Sequence, residues 1–249
     1  MILTSKNNPL IKETAALKEK KARKEQGMFL VEGRKMAVEC SKSDFEIDRV
    51  FLSPSYEGEL PFEADKLVYV SDDVLRFLSD EKSPQGIVCR VKIPVRTLTA
   101  PKGKCLFLDG VSDPGNVGTI IRTANAAGYA EVYLTEECAD AYSPKSVRAS
   151  MSGVFFTKLY RGKRTEILSV LKELSVVVAD MGGVNVFTFD APERYALAIG
   201  NEANGISEET FARATHTVKI PMQATQESLN AAVSAGIIMY VLNRHSFQE

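Results

Sequence analysis

The chain has 249 residues, of which 45% are hydrophobic and 25% are charged, a composition typical of a soluble globular protein with two domains. The longest apolar stretch, residues 229–242, is too short and too polar for a membrane span, and the first residues lack a secretory pattern. Four separated cysteines and two histidines argue against a metal site or a disulfide framework. We therefore expect a reduced, cytoplasmic protein.

The net charge of −1 gives no general affinity for nucleic acid, but the basic residues are unevenly distributed. The first group lies within residues 1–27 and consists of Lys6, Lys12, Lys18, Lys20, Lys21, Arg23 and Lys24. The second group consists of Lys158, Arg161, Lys163 and Arg164. Either group can be solvated surface or a contact for RNA, and composition alone does not decide between them.

Residues 1–96 alternate helices and strands, which predicts a small α/β domain. Helices are predicted over residues 8–27 (ended by Gly27), from Arg34 onward, and from a Ser71 cap through Leu78. Strands are predicted at residues 28–31, 50–53, 67–70 and 87–91. Residues 97–104 have the composition of a linker.

Residues 105–249 alternate more regularly and predict a largely parallel sheet with helices on both faces. Strands are predicted at residues 105–108, 131–134, 175–179, 196–199 and 218–220, and helices at residues 116–127 and 228–244. Ligands bind such sheets in the loops at the carboxyl ends of the strands. The candidate loops are residues 109–116, 200–205 and 221–227.

The first loop, Gly110–Gly115, has the glycine spacing of a phosphate-binding loop. Asn116 and Val117 stand where that loop needs Lys and Ser or Thr, which argues against a nucleotide triphosphatase. The sequence contains no G-x-G-x-x-G pattern, so a dinucleotide site has no support. Arg122 follows on the predicted helix, one turn after Gly118, either as a surface residue with a buried stem or as a group near the ligand.

The second and third loops carry further polar residues. Glu202 lies between Gly200 and Gly205, two glycines that allow a close approach of the backbone to a ligand. The third loop leads to Ser228 and Asn230 at the start of the last helix, where core packing alone does not explain them. Each of these signals is weak when taken singly.

The last helix is apolar nearly all round, which predicts burial on more than one side. The core-facing stripe is predicted to be Leu229, Val233, Gly236, Ile237, Tyr240 and Val241. Ile238, Met239 and Leu242 then remain as additional apolar surface. We expect this surface to form part of a homodimer interface.

Taken in order, the three segments closely resemble the motifs of the SpoU (TrmH) RNA ribose methyltransferases over about residues 104–245. The matching motifs are Asp113-Pro114-Gly115-Asn116-Val117-Gly118 with Arg122, Gly200-Asn201-Glu202-Ala203-Asn204-Gly205, and Ile220-Pro221-Met222 with Ser228-Leu229-Asn230. One departure is Ala231, where Val is common, a change in packing. The residues before Arg96 resemble the substrate-binding domain of ribosomal-RNA members, through Phe29-Leu30-Val31-Glu32-Gly33 and Ser83-Pro84-Gln85-Gly86-Ile87.

The resemblance implies an S-adenosylmethionine-dependent RNA 2′-O-ribose methyltransferase that acts on 23S ribosomal RNA. It also implies the domain roles: residues 1–96 bind the RNA substrate with a basic N-terminal helical arm, and residues 105–249 form the methyltransferase domain. That domain is expected to be a SPOUT trefoil-knot fold, a rare exception to unknotted topology. The family is dimeric, and its active site borrows residues across the interface.

The resemblance further assigns the site residues. The implied cofactor-binding residues are Gly200, Asn201, Gly205, Ile220, Met222, Ser228, Leu229 and Asn230. The implied catalytic residues are Arg122, Asn116, Glu202, Ser228 and Asn230, and no metal is required. Because a guanidinium group stays protonated in proteins, we expect Arg122 to stabilise the developing alkoxide and a neighbouring phosphate rather than act as a free base.

Three alternatives remain open at this point. The same fold can hold RNA during ribosome assembly without turnover, although the intact motif residues argue against that use. The substrate can be transfer RNA rather than ribosomal RNA. A methyltransferase acting on a protein or on an RNA base is disfavoured by Arg122 and Asn230.

Overall fold

A computed structural model describes residues 2–58, 60–226 and 228–247, and the chain forms two compact units. The first unit runs to Val95 and includes Asp140–Phe155, and the second comprises Arg96–Ala139 and the residues from Phe156 onward. The predicted domain boundary at residues 97–104 assigns Asp140–Phe155 to the second domain, whereas in the structure this segment belongs to the first unit. The division is therefore not a single cut along the chain. No helix in the described ranges is both long and apolar enough to cross a membrane.

The strands are β1 (Met28–Glu32), β2 (Ile47–Leu52), β3 (Leu67–Tyr69), β4 (Ile87–Lys92), β5 (Cys105–Asp109), β6 (Glu131–Thr135), β7 (Lys158–Gly162), β8 (Ser175–Asn185), β9 (Tyr195–Gly200) and β10 (His216–Lys219). The helices are α1 (Pro9–Ala16), α2 (Lys20–Gln26), α3 (Arg34–Ser41), α4 (Asp72–Leu78), α5 (Pro114–Ala126), α6 (Pro144–Ser150), α7 (Gly153–Phe156), α8 (Arg164–Val170), α9 (Glu208–Phe211) and α10 (Ala231–Leu242).

The first unit contains a four-stranded sheet in the order β1-β4-β2-β3. β4 runs antiparallel to β1 and to β2, and β3 runs parallel to β2. The Ser71 hydroxyl accepts a hydrogen bond from the Val74 backbone N–H and so caps α4, as the sequence predicts. Fully buried Phe51, Val74 and Leu78 belong to one apolar cluster on this sheet, whose burial drives the folding of the unit.

The predicted single helix over residues 8–27 is wrong, because α1 and α2 are separate helices. The chain turns between them, and the Arg23 guanidinium donates to the carbonyl oxygens of Leu17 and Lys18, each at 2.7 Å. Arg23 is only 4% exposed and forms an ion pair with Asp140 at 2.7 Å. Arg23 is therefore a structural residue of the first unit rather than part of an exposed basic arm.

The segment Asp140–Phe155 contributes side chains to the first unit. The ring of Tyr142 lies 4.9 Å from that of Phe29, measured between centroids, and Arg148 pairs with Asp80 at 2.8 Å. Buried aromatic contacts of this kind contribute free energy beyond the apolar area that they bury. The first unit is therefore completed by residues that follow β6 in the chain.

The second unit contains a six-stranded sheet in the order β10-β8-β9-β5-β6-β7, with every neighbouring pair parallel. This confirms the predicted α/β class with a parallel sheet. β5 and β9 are central, and their residues are buried almost throughout. Strands covered on both faces are apolar along their whole length, which explains why these two were easy to predict.

The prediction for the face of α10 is wrong. Ile238, Met239 and Leu242 are 2%, 0% and 6% exposed, so they face the core of their own chain. Val233 and Tyr240, assigned to the core-facing stripe, are 50% and 43% exposed. A helix that is apolar all round carries no amphipathic signal to distinguish its two faces, so sequence alone could not choose between them.

β7 and α8 were not predicted from the sequence, in which this part of the chain stood out only by its second group of basic residues. Two of these cations have structural partners: Arg161 donates to the carbonyl oxygens of Glu136 and Cys138 at 2.6 and 2.5 Å, and Arg164 pairs with Asp109 at 2.7 Å. β7 lies at the edge of the sheet, and its exposed residues, Lys158 and Arg161, are separated by two buried ones. This spacing does not have the strict alternation by which a half-buried strand is predicted.

Candidate active site

The loops that follow β5 and β9 meet because these strands are neighbours in register. Asp109 pairs with Gly200, so the first two candidate loops leave the sheet side by side. The Asn201 side chain donates to the Gly110 carbonyl oxygen at 2.8 Å and links the two loops directly. Glu227, the last residue of the third predicted loop, lies outside the described residues.

Asn116, Glu202 and Asn230, which come from three separate motifs, form one hydrogen-bonded chain. The amide Nδ2 of Asn116 donates to Glu202 Oε1 at 2.9 Å, and Nδ2 of Asn230 donates to Asn116 Oδ1 at 3.0 Å. Asp113 caps α5 by accepting from the Asn116 backbone N–H, and Asn230 caps α10. Because both asparagines lie at helix starts, their positions are fixed by the ends of α5 and α10.

The Glu202 carboxylate is the centre of this chain. In addition to Asn116, it accepts hydrogen bonds from the backbone N–H groups of Ser112 and Asp113 and from the Ser112 hydroxyl, at 3.0 to 3.3 Å. Burial alone would raise the pKa of Glu202, but the hydrogen bonds from Asn116 and Ser112 outweigh it and lower the pKa. Glu202 is therefore ionised at neutral pH.

We expect Glu202→Gln to lower methyl-transfer activity by roughly tenfold, because an amide N–H₂ would face a donor and leave it unsatisfied, at a cost of about 1–3 kcal/mol. The measurement is the initial rate at saturating substrates, with Glu173→Gln, an exposed position outside the site, as the matched control. Since the folded pKa lies below the ordinary value of 4.5, the contribution of Glu202 to folding stability is fully present above pH 4.5 and is lost as the pH falls through the lower, folded pKa. Equal rates for the two variants would remove Glu202 from the site.

Backbone hydrogen bonds join the two ends of the second loop. Asn201 and Gly205 exchange backbone hydrogen bonds at 2.8 and 2.9 Å, and Gly205 has a left-handed φ of 69°. A Cβ at Gly200 would lie 2.3 Å from the Gly205 carbonyl carbon, so no larger residue fits there without moving the loop. The glycines therefore fix the shape of the loop.

Asp109, at the end of β5, binds Ser207, which lies just after the second loop. Its carboxylate accepts from the backbone N–H and the hydroxyl of Ser207, at 3.0 and 2.6 Å, and from Arg164. Burial alone would raise the pKa of Asp109, but the hydrogen bonds from Ser207 and Arg164 lower it below its ordinary range. Asp109 was not singled out in the sequence, although its place at the end of a buried strand was a signal.

A cavity of about 400 Å³ lies beside these loops, a volume within the range of small-molecule sites. All eight predicted cofactor residues line it: Gly200, Asn201, Gly205, Ile220, Met222, Ser228, Leu229 and Asn230. The other lining residues were not predicted from the sequence: Ala179, Asp180, Met181, Ile199, Val218, Lys219, Ala231, Ser234 and Ile238, besides Glu202, which belongs to the predicted catalytic set. Ala179, Asp180 and Met181 directly follow the residues of β8 that pair with β9, and this place among the parallel strands was a signal that could have found them.

Arg122 and Asn116 are the two predicted catalytic residues that do not line this cavity. Asn116 reaches it through its hydrogen bonds to Glu202 and Asn230. Arg122 lies exposed on α5, and within the described ranges its side chain makes no hydrogen bond or ion pair. The guanidinium group is therefore available to a molecule outside this chain.

Two family models match the chain. The SpoU rRNA Methylase family matches residues 103–240, and the MRM3-like substrate binding domain matches residues 8–89. The first match covers the sheet and the three candidate loops, and the second covers the small sheet of the first unit. Each model therefore corresponds to one part of the fold described above.

Relatives with names and solved structures agree with these models. The chain is 30% identical to the 23S rRNA (guanosine(2553)-2′-O)-methyltransferase RlmP of Bacillus subtilis over 96% of this chain and 98% of that protein. It matches an AdoMet-bound rRNA methyltransferase from Sinorhizobium meliloti with a TM-score of 0.89 and 28% identity, over 100% and 99% of the two chains. It also matches AviRb from Streptomyces viridochromogenes in complex with AdoMet, with a TM-score of 0.87 and 27% identity, over 96% and 98%.

The fold, the cavity and these matches define the class of the protein, which is that of the RNA 2′-O-methyltransferases. The chain belongs to the SpoU rRNA methylase family. This confirms the family, the α/β fold and the enzyme class that the sequence motifs predict. The AdoMet in two of the matching structures agrees with the predicted cofactor, S-adenosylmethionine.

Proposed function

We propose that this chain transfers a methyl group from S-adenosylmethionine to a ribose 2′-hydroxyl of 23S ribosomal RNA, in the cytoplasm. The observation that carries the proposal is the hydrogen-bonded chain of Asn116, Glu202 and Asn230 at the rim of the cavity. A ribosome-assembly protein without turnover would need no ionised carboxylate held by four donors in this place. RlmP of Bacillus subtilis, whose name states that it methylates 23S rRNA, supports the choice of substrate.

The residues around the cavity fit S-adenosylmethionine. Its walls include Ile199, Val218 and Leu229, which suit an adenine ring, and the backbone around Gly200 can approach a ligand closely. Ser228 and Asn230 supply hydrogen-bonding groups at the same cavity. When bound, S-adenosylmethionine supplies an electrophilic methyl group on a sulfonium sulfur.

In the proposed reaction, the ribose hydroxyl gives its proton to water, and Arg122 stabilises the negative charge that develops on the ribose oxygen. An arginine side chain stays protonated, so its contribution is electrostatic. Asn116, Glu202, Ser228 and Asn230 position the RNA and the loops. Their hydrogen bonds are formed before the substrate arrives, so little reorganisation is needed during the reaction.

We also propose that two copies of the chain form a dimer and that Arg122 serves the cavity of the partner copy. Arg122 is exposed and does not line the cavity of its own chain. Val233, Tyr240 and Phe187 are 50%, 43% and 55% exposed, and α10 packs beside the short 3₁₀ helix that contains Phe187. This apolar surface replaces the one predicted from Ile238, Met239 and Leu242. A trefoil knot in the second unit remains part of the proposal.

The dimer makes a prediction for solution behaviour. We expect sedimentation of the wild-type protein at micromolar concentration to give a dimer, and Val233→Glu with Tyr240→Glu to shift it to monomer, because unpaired charges would be buried. Phe211→Glu, which introduces a charge at another exposed aromatic position, is the matched control. A wild-type protein that sediments only as monomer contradicts the dimer.

The proposed substrate is tested by mapping ribose methylation. Mass spectrometry of ribosomal RNA from cells with and without the gene should show one 2′-O-methylated nucleotide of 23S rRNA that depends on the gene. The purified protein should restore this modification on an unmodified 23S transcript in the presence of S-adenosylmethionine. If purified transfer RNA is the better acceptor, or if no methyl group is transferred to ribose, the proposed function is wrong.

A further inference from the structure

The two segments of the first unit that resemble a substrate-binding domain meet in the fold. Gly33 and Arg34 follow β1, and Gln85 and Gly86 precede β4. The Arg34 backbone N–H donates to Gln85 Oε1 at 2.9 Å, which ties the two segments together across 51 positions of sequence. Gly33 and Gly86 have φ values of 89° and 81°, a conformation that favours glycine.

A second, open cavity of about 350 Å³ lies at this junction. The residues that line it are Arg34, Lys35, Val38, Glu39 and Gln85. The side chains of Arg34 and Lys35 are exposed, and in the described part of the chain neither makes a hydrogen bond or an ion pair. Two cations without partners among the described residues therefore line one small cavity.

The acidic residue of this cavity is already paired. The Glu39 carboxylate accepts from the Lys42 ammonium at 3.3 Å, so its charge is balanced by a cation outside the lining. The pair is partly exposed, and its interaction is weak, but it leaves the charges of Arg34 and Lys35 as the net charge of the cavity. The charged residues that line the cavity therefore carry a net positive charge.

Gln85 adds an uncharged donor to the same surface. Because its Oε1 faces the Arg34 backbone N–H, the other amide atom is the N–H₂ donor. Among the described residues, this Nε2 has no acceptor. The cavity thus presents a guanidinium, an ammonium and an amide as donors. Its other lining residues are Val38, which is apolar, and Glu39, whose carboxylate is paired with Lys42.

We propose that this cavity binds a phosphodiester group of the RNA substrate, a subsite that rests on the proposed function. Arg34 can donate two parallel hydrogen bonds to the phosphate oxygens, Lys35 adds a point charge, and Gln85 donates a third bond. Val38 packs against the adjoining ribose. A phosphate contact fixes the position and register of the RNA and carries no sequence information, so the subsite orients the substrate for methyl transfer.

The test compares two double variants of the full-length protein. Arg34→Ala with Lys35→Ala removes the two cations that line the cavity. Lys66→Ala with Arg76→Ala removes the same charge from the same unit. Lys66 is partly exposed and paired with Glu63, and Arg76 is exposed and paired with Asp73. Binding of an unmodified 23S rRNA transcript is measured between roughly 50 and 200 mM salt, the range in which phosphate contacts are most visible.

We expect the cavity variant to bind the transcript about tenfold more weakly at physiological salt and to lower the slope of log K against log salt by nearly one unit. The control variant should change binding less than about twofold. The KM for RNA should rise in parallel with the loss of binding, while kcat and the affinity for S-adenosylmethionine stay at wild-type values. A cavity variant that behaves like the control overturns the proposal.

Gln85→Glu is the second variant. It keeps the oxygen that accepts from Arg34 and replaces the donor with an anionic oxygen, so the fold is retained while phosphate is repelled. It should weaken RNA binding at least as much as the loss of one cation, and unchanged binding would also overturn the proposal. If the wild-type protein binds and methylates the transcript and the variants do so equally well, this subsite alone is wrong. If the wild-type protein methylates no 23S rRNA, the proposed function itself is wrong.

Discussion

Replacing Arg122 with alanine is expected to lower the single-turnover rate of methyl transfer by about 10² to 10³-fold, or about 3–4 kcal/mol in transition-state stabilisation. The guanidinium group has no partner among the described residues, so its removal leaves the folded chain intact. The affinity for S-adenosylmethionine, measured by calorimetry, should stay within about twofold of wild type, because the proposed role arises only in the transition state.

The matched control is Arg213→Ala, which removes another exposed arginine of the second unit. It should leave both the rate and the cofactor affinity unchanged. Arg122→Lys retains the charge and loses the planar fork, so its rate should fall between those of wild type and Arg122→Ala. A wild-type rate for Arg122→Ala would exclude this residue from the reaction.

The second large effect is expected from Gly200→Ala, which adds one methyl group where none fits. The new Cβ would lie 2.3 Å from the Gly205 carbonyl carbon, so the second loop must shift away from its present shape. Overpacking of this kind costs about 1–3 kcal/mol. If the added methyl group destabilises the cofactor-bound protein by this free energy, the Kd for S-adenosylmethionine rises by roughly 5- to 150-fold.

Gly103→Ala is the control for this change, because a Cβ at Gly103 meets no atom within 4 Å. It should leave the Kd and the melting temperature at their wild-type values. Calorimetric titration gives the Kd, and thermal melting separates a loop effect from general unfolding. A Kd for Gly200→Ala equal to that of Gly103→Ala would show that the loop tolerates a side chain and does not hold the cofactor.

Local sequence patterns were sufficient to predict the parallel sheet of the second unit. They were also sufficient to assign the three motifs to one protein family. β5 and β9 are short apolar runs, and each is followed by glycine-containing loops. The position of a strand in the sheet then brings the loops together, as the pairing of Asp109 with Gly200 illustrates. Side-chain roles at the site remain predictions that the variants above test.

Other features depend on tertiary contacts that no local pattern reveals. The turn between α1 and α2 is stabilised by the Arg23 guanidinium, which also pairs with Asp140, more than a hundred positions away. In the sequence, Arg23 is indistinguishable from the solvated lysines around it. The face of α10 that is buried is likewise chosen by its neighbours, since the helix is apolar all round.

The placement of Asp140–Phe155 in the first unit has a consequence for how this protein can be divided. The chain passes between the units at Val95, returns at Ala139 and leaves again at Phe155, so neither unit is one continuous piece. A fragment that begins after the linker would carry Tyr142 without the Phe29 ring that covers it, and a fragment that ends at Val95 would leave Arg23 without its carboxylate. Gene fusion or recombination at the linker would therefore separate residues that fold together. To exchange the first unit between relatives, the segment that ends at Val95 and the segment Asp140–Phe155 must be exchanged together.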